Sequence, residues 1–339
     1  MKPVPKPLHQ QTIVITGATS GIGLATARMA AQKGAKLVLV SRDEAALQSL
    51  QHELSQQWGA QAIHVAADVG NRADLEQVAK RAVERFDGFD TWVNNAGTLV
   101  WGRLWEVSEA DLKKVFETNF WGVVNGSLVA VEHFRQREGG TLINLGSALS
   151  EAVAPLQGIY TASKHAVKAF TDALRIELRH DNVPVAVTLI RPSSTNTPIN
   201  DRAKNYLAHT PHLPAPTYVP ETVARAILRA AERPKRDVYI GNSKLITRAA
   251  QLTPRLFDWI AIKTLFAAQQ SKTADAFPSD ALYEPVTSGS TRGRNPGPMF
   301  RHSLYAQASQ QPAKTAALAG AVGLALYSGW RLIRACKAE

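Results

Sequence analysis

A tyrosine and a lysine four residues apart, Tyr160 and Lys164, form the pair in this chain best suited to acid–base chemistry. On a helix that spacing puts both side chains on one face, one turn apart. A free phenol ionises near about 10 and is a poor proton carrier at neutral pH, but a neighbouring ammonium stabilises phenolate and draws the pKa toward the working range. Ser147 ends the apolar run that begins at Thr141 and can present a hydroxyl opposite that helix. Taken alone, such a pair is an ordinary exposed feature of a helix. The rest of the chain gives it chemical meaning.

The β-branched run 12–16 (TIVIT) leads directly into Gly17-Ala-Thr-Ser-Gly21-Ile-Gly23 and a helical stretch to about residue 33. Strand, glycine turn and helix in that order are the setting in which such glycines matter. Gly17 permits the turn, Gly21 lets the backbone approach a pyrophosphate, and Gly23 lets the helix pack on the strand, with the helix N-terminus facing the phosphates. The spacing is G-x-x-x-G-x-G rather than G-x-G-x-x-G. One glycine turn is weak evidence; followed by four more βα units it becomes strong.

Those units are readable as strands at 36–41, 62–67, 89–93, 141–147, 185–190 and 237–240, alternating with helical patterns at 43–57, 72–86, 108–135, from Tyr160 to 179, and 220–232. Such alternation predicts an α/β fold, a parallel sheet covered on both faces with ligands at the carboxyl ends of its strands. A chain of 339 residues that is 45% apolar can bury a large core, here read as one big domain with a tail. The single cysteine, Cys336, excludes an intramolecular disulfide framework and a thiolate metal site. No zinc-ligand spacing is present, and His209 and His212 read as loop residues, so no metal is expected. The first eleven residues lack an apolar core of the signal-peptide kind, which predicts a cytoplasmic catalytic part. Of the net charge of +11, +7 falls in residues 243–339, and no nucleic-acid-reading motif accompanies it.

TGATSGIG at 16–23, NNAG at 94–97, Asn119, Ser147 and YTASK at 160–164 together resemble the short-chain dehydrogenase/reductase family, over about 12–240. The resemblance implies a Rossmann-type, doubly wound parallel sheet of about seven strands, and the length and tail look like a bacterial subgroup with a C-terminal extension. It implies that Tyr160 exchanges a proton with the substrate oxygen while a nicotinamide exchanges a hydride with the carbon. Lys164 would lower the tyrosine pKa and bond the nicotinamide ribose, Ser147 would polarise the carbonyl, and Asn119 would hold a water that relays protons through Lys164. Cofactor contacts would come from Gly17, Thr19, Ser20, Gly21, Ile22 and Gly23 in the turn. Asp68 and Val69 would flank the adenine, and Asn94, Asn95, Ala96 and Gly97 would line the cleft. The implied activity is that of an alcohol dehydrogenase or carbonyl reductase on a small, apolar carbonyl or alcohol substrate, in a homo-oligomer. A catalytically vestigial, cofactor-bound scaffold at a membrane is the competing reading; the four intact catalytic positions argue against it.

Cofactor choice is read at the end of the second strand, Ser41-Arg42-Asp43. An acid there bonds the 2′-hydroxyl of NAD, whereas an arginine accommodates a 2′-phosphate. Serine replaces the acid, Arg42 follows, and Asp43 fits a helix N-cap, so NADP(H) is favoured over NAD(H). After strand six, Pro192, Thr195 and Thr197 match the family pattern, but Ser193 stands where glycine is common. A positive φ there would strain a serine. The loop 200–219 is expected to recognise substrate, with Trp101 and Trp105 adding an apolar wall or packing in the core.

The expected organisation is a catalytic domain at 8–242, an amphipathic helical extension at 243–270, a Gly/Pro/Ser-rich flexible linker at 271–314 and an apolar helix at 315–334. The uncharged stretch within that helix, 315–330, has sixteen residues, short of the roughly 20 that span a bilayer comfortably. Three readings stand for it: a marginal membrane span, a helix docked on protein, or one lying in the interface and holding the catalytic domain at the inner face of a membrane.

Overall fold

The computed structural model describes residues 6–271, 280–286, 289–303 and 305–306. In chain order the main elements are β1 (Thr12–Thr16), α1 (Gly21–Gln32), β2 (Lys36–Ser41), α2 (Glu44–Trp58), β3 (Ala62–Ala66), α3 (Arg72–Phe86) and β4 (Thr91–Asn94). Then come α4 (Glu109–Phe116), a π turn (Glu117–Trp121), α5 (Gly122–Arg135), β5 (Gly140–Leu145), α6 (Gly158–His180), β6 (Val185–Pro192), α7 (Pro220–Glu232) and β7 (Asp237–Ile240). The seven strands form one parallel sheet in the order β7-β6-β5-β4-β1-β2-β3. The chain winds outward from β1 to β3, then returns to start β4 on the other side of β1. That reversal opens a crevice between the carboxyl ends of β1 and β4.

The β1 run is buried at every position because successive side chains enter different layers. Ile13 and Ile15 pack with Leu24 of α1, Leu47 and Leu54 of α2 and Ile227 of α7. Val14 faces the other way, into Leu75 and Val78 of α3, Phe134 of α5 and Leu174 of α6. Burying each such side chain contributes about 1.5–3 kcal/mol, which makes the register costly to slip. Helix starts follow local chemistry: Asp43, Asn71 and Ser108 each accept a backbone N–H of the first turn.

Beyond β7 the amphipathic extension folds as α8 (Ser243–Leu252) and α9 (Pro254–Ile260), broken where Pro254 cannot continue the preceding helix. The described residues of the stretch expected as a flexible linker, 280–286 and 289–303, instead form a strap packed on the domain. Leu282 is buried with Val100, Val107 and Val115, and Tyr283 Oη donates to Asp111 at 2.8 Å. Met299–Phe300 pairs in parallel with Thr217–Tyr218. Composition misled here because the anchors are single residues separated by Gly and Pro, with no period to read. The apolar segment 315–334 lies outside the described residues, and among those described no helix is long and apolar enough to cross a membrane.

Candidate active site

The crevice is a cleft of about 450 Å³ that runs from Ser41 and Arg42, past the glycine turn, to Tyr160 and Lys164. Gly17 sits at φ 67° and Gly21 at φ 54°, both left-handed and natural only for glycine. Gly17, Thr19, Ser20, Gly21 and Ile22 line the cleft; Gly23 does not. A Cβ on Gly23 would collide with the Gly17 carbonyl, so its place is the α1–β1 contact. Asn95 Nδ2 donates to the Thr16 carbonyl at 2.9 Å and ties the ends of β1 and β4 together. Asn95, Ala96, Gly97, Asp68 and Val69 are all on the wall. Asn94, expected beside them, points into the sheet core and donates to Asn144 Oδ1 at 2.9 Å. A helix N-terminus, two left-handed glycines and a long cleft fit the phosphates and extended shape of a nicotinamide dinucleotide.

At the other end, Ser147 follows β5 and starts a short 3₁₀ turn, its Oγ accepting from Leu149 N at 3.1 Å. Tyr160 is half-buried on α6, and Lys164 one turn later is buried. The Lys164 ammonium lies 5.6 Å from the Tyr160 ring centroid and donates to the Leu145 carbonyl at 3.0 Å. Burial pushes the Tyr160 phenol up to about 12, opposed by the nearby Ser147 hydroxyl. Burial also pulls Lys164 down to about 8. The lowering expected from Lys164 is not among the effects on the phenol, since the ammonium is held against the strand end.

Asn119 falls in the π turn and is fully buried. Its Nδ2 donates to Thr98 O at 2.9 Å and Ser163 Oγ at 3.1 Å, and its Oδ1 accepts from Thr98 N at 2.8 Å. Both amide hydrogens are thus spent on bracing the loop after β4 against α6. This differs from a side chain free to carry a relay water, since Asn119 is not on the cleft wall.

Pro192, Thr195 and Thr197 line the cleft beyond β6. Ser193 does not adopt a positive φ; its backbone N–H extends the β7 pairing to Ile240 O at 3.1 Å and its hydroxyl donates to Asn242. Trp101 is buried behind the wall with its Nε1 on Asn200 Oδ1, and Trp105 is 82% exposed, so neither forms the expected apolar surface. That surface comes from Leu99, Leu149, Ile199, Leu213 and, from the extension, Phe257 and Leu265. Sequence reasoning missed the extension's inward face; its apolar positions were on view, but not which face met the cleft. Among the described residues no cluster of metal-ligating side chains occurs.

At the adenosine end, Asp43 Oδ1 caps α2 through Ala46 N at 2.9 Å. The Arg42 guanidinium donates from Nη1 to Leu282 O and Tyr283 O and from Nη2 to Ala281 O, at 3.3, 2.6 and 2.6 Å. The strap also places Ala281, Pro285 and Val286 on the wall, and Ser290 O accepts from Gly21 N at 3.0 Å.

Residues 11–207 match the family profile described as short chain dehydrogenase. The chain is 42% identical to the uncharacterized oxidoreductase YxnA of Bacillus subtilis (strain 168), over 98% of this chain and 93% of that protein. Among solved structures it resembles a short chain dehydrogenase/reductase from Burkholderia phymatum in complex with NAD, with TM-score 0.64 and 29% identity, covering 80% of this chain and 100% of that one. An alcohol dehydrogenase from the archaeon Thermococcus sibiricus, complexed with 5-hydroxy-NADP, matches with TM-score 0.60 and 27% identity over 68% of this chain and 95% of that one. With the seven-stranded parallel sheet and the nicotinamide-sized cleft at its switch point, these matches place the chain in the short-chain dehydrogenase/reductase family, as an oxidoreductase that uses a nicotinamide cofactor.

Proposed function

We propose that this protein is an NADP(H)-dependent alcohol dehydrogenase or carbonyl reductase acting on an apolar small molecule. The observation that carries the reading is the alignment of Ser147, Tyr160 and Lys164 on one wall of a cleft whose far end holds the glycine turn and Arg42. The bound nicotinamide supplies or accepts the hydride. In reduction, Tyr160 donates its phenolic proton to the substrate oxygen as the carbon gains the hydride; the resulting phenolate is reprotonated from solvent. Oxidation reverses each transfer. The Ser147 hydroxyl orients and polarises the substrate oxygen. The Lys164 ammonium stabilises the phenolate and bonds the cofactor ribose, while Asn119 positions the wall on which both act.

The NADP(H) preference rests on the absence of a free carboxylate at the β2 tip. Ser41 shares its hydroxyl with Thr19 at 3.0 Å, and Asp43 is engaged as a cap. Arg42 has five N–H groups, three of them on the strap, which leaves two for a 2′-phosphate. Leu99, Leu149, Ile199, Leu213 and Phe257 support an apolar substrate. A panel of aldehydes, ketones and secondary alcohols, followed through reduced-nicotinamide absorbance, tests the reading. Cofactor binding without turnover of any member would favour the scaffold alternative instead.

The same reading extends to location and assembly. Leu245, Leu252, Leu256, Trp259 and Ile262 are exposed on the helical extension, interleaved with Lys244, Arg248, Arg255 and Lys263. That combination supports attachment to an anionic membrane surface. Exposed Trp121, Leu128 and Ile176 beside α5 and α6 support a homo-oligomer.

A further inference from the structure

Arg202 lies in the loop after β6, far in sequence from the glycine turn and the β2 tip, yet it lines the same cleft as Gly21, Arg42, Asp43 and Thr197. Its backbone is held on both sides: the N–H donates to Pro198 O at 3.1 Å, and the carbonyl accepts from Ala281 N of the strap at 2.9 Å. Its Nη2 is buried and has no hydrogen-bond partner among the described residues. Nine or more in ten buried polar groups are satisfied, and an unmet guanidinium N–H is more costly than a neutral one, so the position calls for an anionic acceptor that enters the cleft.

The surroundings narrow that acceptor. Asp201 and Asp43 are the carboxylates whose charge reaches Arg202. Each has another partner: Asp201 Oδ2 accepts from Arg294 N at 2.8 Å, and Asp43 Oδ1 caps α2. Ala281 bonds both residues, its N–H on the Arg202 carbonyl and its own carbonyl on Arg42 Nη2, which puts Arg202 at the β2 end of the cleft. There, Arg42 has already given three of its N–H groups to the carbonyls of residues 281–283. A dianionic phosphate has more acceptor positions than the remaining edge of Arg42 can fill.

We infer that Arg202 is a second phosphate-binding guanidinium of the dinucleotide site, acting together with Arg42, with the strap at Ala281 fixing its backbone. This rests on the dinucleotide reading of the cleft. The bound group is a phosphate of the cofactor: the 2′-phosphate, present only in NADP(H), or the pyrophosphate, present in both cofactors. A guanidinium offers a planar fork of donors that a lysine ammonium lacks, so lysine is a poor substitute.

The test measures dissociation constants for NADPH and NADH by nicotinamide fluorescence in the full chain and in Arg202→Ala, Arg202→Gln and Arg202→Lys. Thermal melts check that each variant is folded, and Arg202→Gln keeps a polar, uncharged side chain there should the alanine variant fail. Loss of NADPH affinity by tenfold or more, with NADH within twofold, is expected for a 2′-phosphate contact. A parallel loss for both cofactors supports the same residue at the pyrophosphate. Both constants staying within twofold of the parent, in folded variants, would overturn the inference while leaving the dinucleotide reading intact. A parent chain that binds neither cofactor would overturn both.

Discussion

Lys164 Nζ donates to the Leu145 carbonyl at 3.0 Å, which ties the second turn of α6 to the last residue of β5. Ser147 leaves that same strand end two residues later, and Tyr160 sits one helical turn before the lysine. One hydrogen bond therefore sets the spacing between the hydroxyl that orients a substrate oxygen and the phenol that protonates it.

Tyr160→Phe removes the transferable proton and little else. Turnover is expected to fall by about 10²–10⁴-fold, while the dissociation constant for the cofactor stays within about threefold. Equal activity in the variant would end the acid–base assignment.

Lys164 gives a stability prediction whose sign follows from its ionisation. Burial pulls its pKa down to about 8 in the folded chain, from 10.5 for a free lysine. Between those values the unfolded chain holds the extra proton, so this residue makes stability rise with pH across that window and carries its full cost below it. Lys164→Met is expected to abolish turnover, weaken cofactor binding and raise stability near neutral pH by about 1–3 kcal/mol. Urea midpoints at neutral pH and above 10.5 check this, with the gain shrinking at the higher pH. A variant less stable at neutral pH would show that the Leu145 bond and side-chain packing outweigh ammonium burial.

Arg42→Ala removes charge-assisted donors that contribute roughly 1.5–3 kcal/mol. NADPH affinity is expected to drop by about tenfold or more while NADH changes little. Parallel shifts in the two dissociation constants would mean that Arg42 serves the strap alone.

Asn119→Ala deletes three hydrogen bonds from a fully buried amide and leaves the Thr98 N–H and carbonyl without that partner, while Ser163 Oγ keeps its bond to Tyr160 O. A loss of about 2–4 kcal/mol is expected, each orphaned group costing about 1–3 kcal/mol. Turnover should fall as well. A catalytic loss with unchanged denaturation midpoint would point instead to a direct role in proton transfer.

Membrane attachment is checked by flotation with anionic and neutral vesicles. The full chain is expected to float with anionic vesicles, and Leu252→Glu with Trp259→Glu to reduce this several-fold. Equal flotation by parent and double variant would leave the helical extension without a lipid role.

Strand and helix order was readable from the sequence because both are set by local periodicity: all of TIVIT is buried, and Asp43 caps its helix as its side chain predicts. The positions of Tyr160, Lys164, Ser147 and the glycine turn were readable for the same reason, since their spacing has meaning within one turn or one βα unit. What only the tertiary structure decided were relations between distant segments. Asn94 and Asn95 are neighbours, yet one enters the sheet core and the other bridges to β1. Residues 280–286 look like part of a linker by composition, but single anchors at Leu282 and Tyr283 lay residues 281–283 beside Arg42, about 240 residues away. Arg202 carries no local signal at all: its place in the cleft depends on where β6 ends in the sheet and on the strap at Ala281. Such contacts join segments brought together only by the folded sheet, and local periodicity has no reach over that distance.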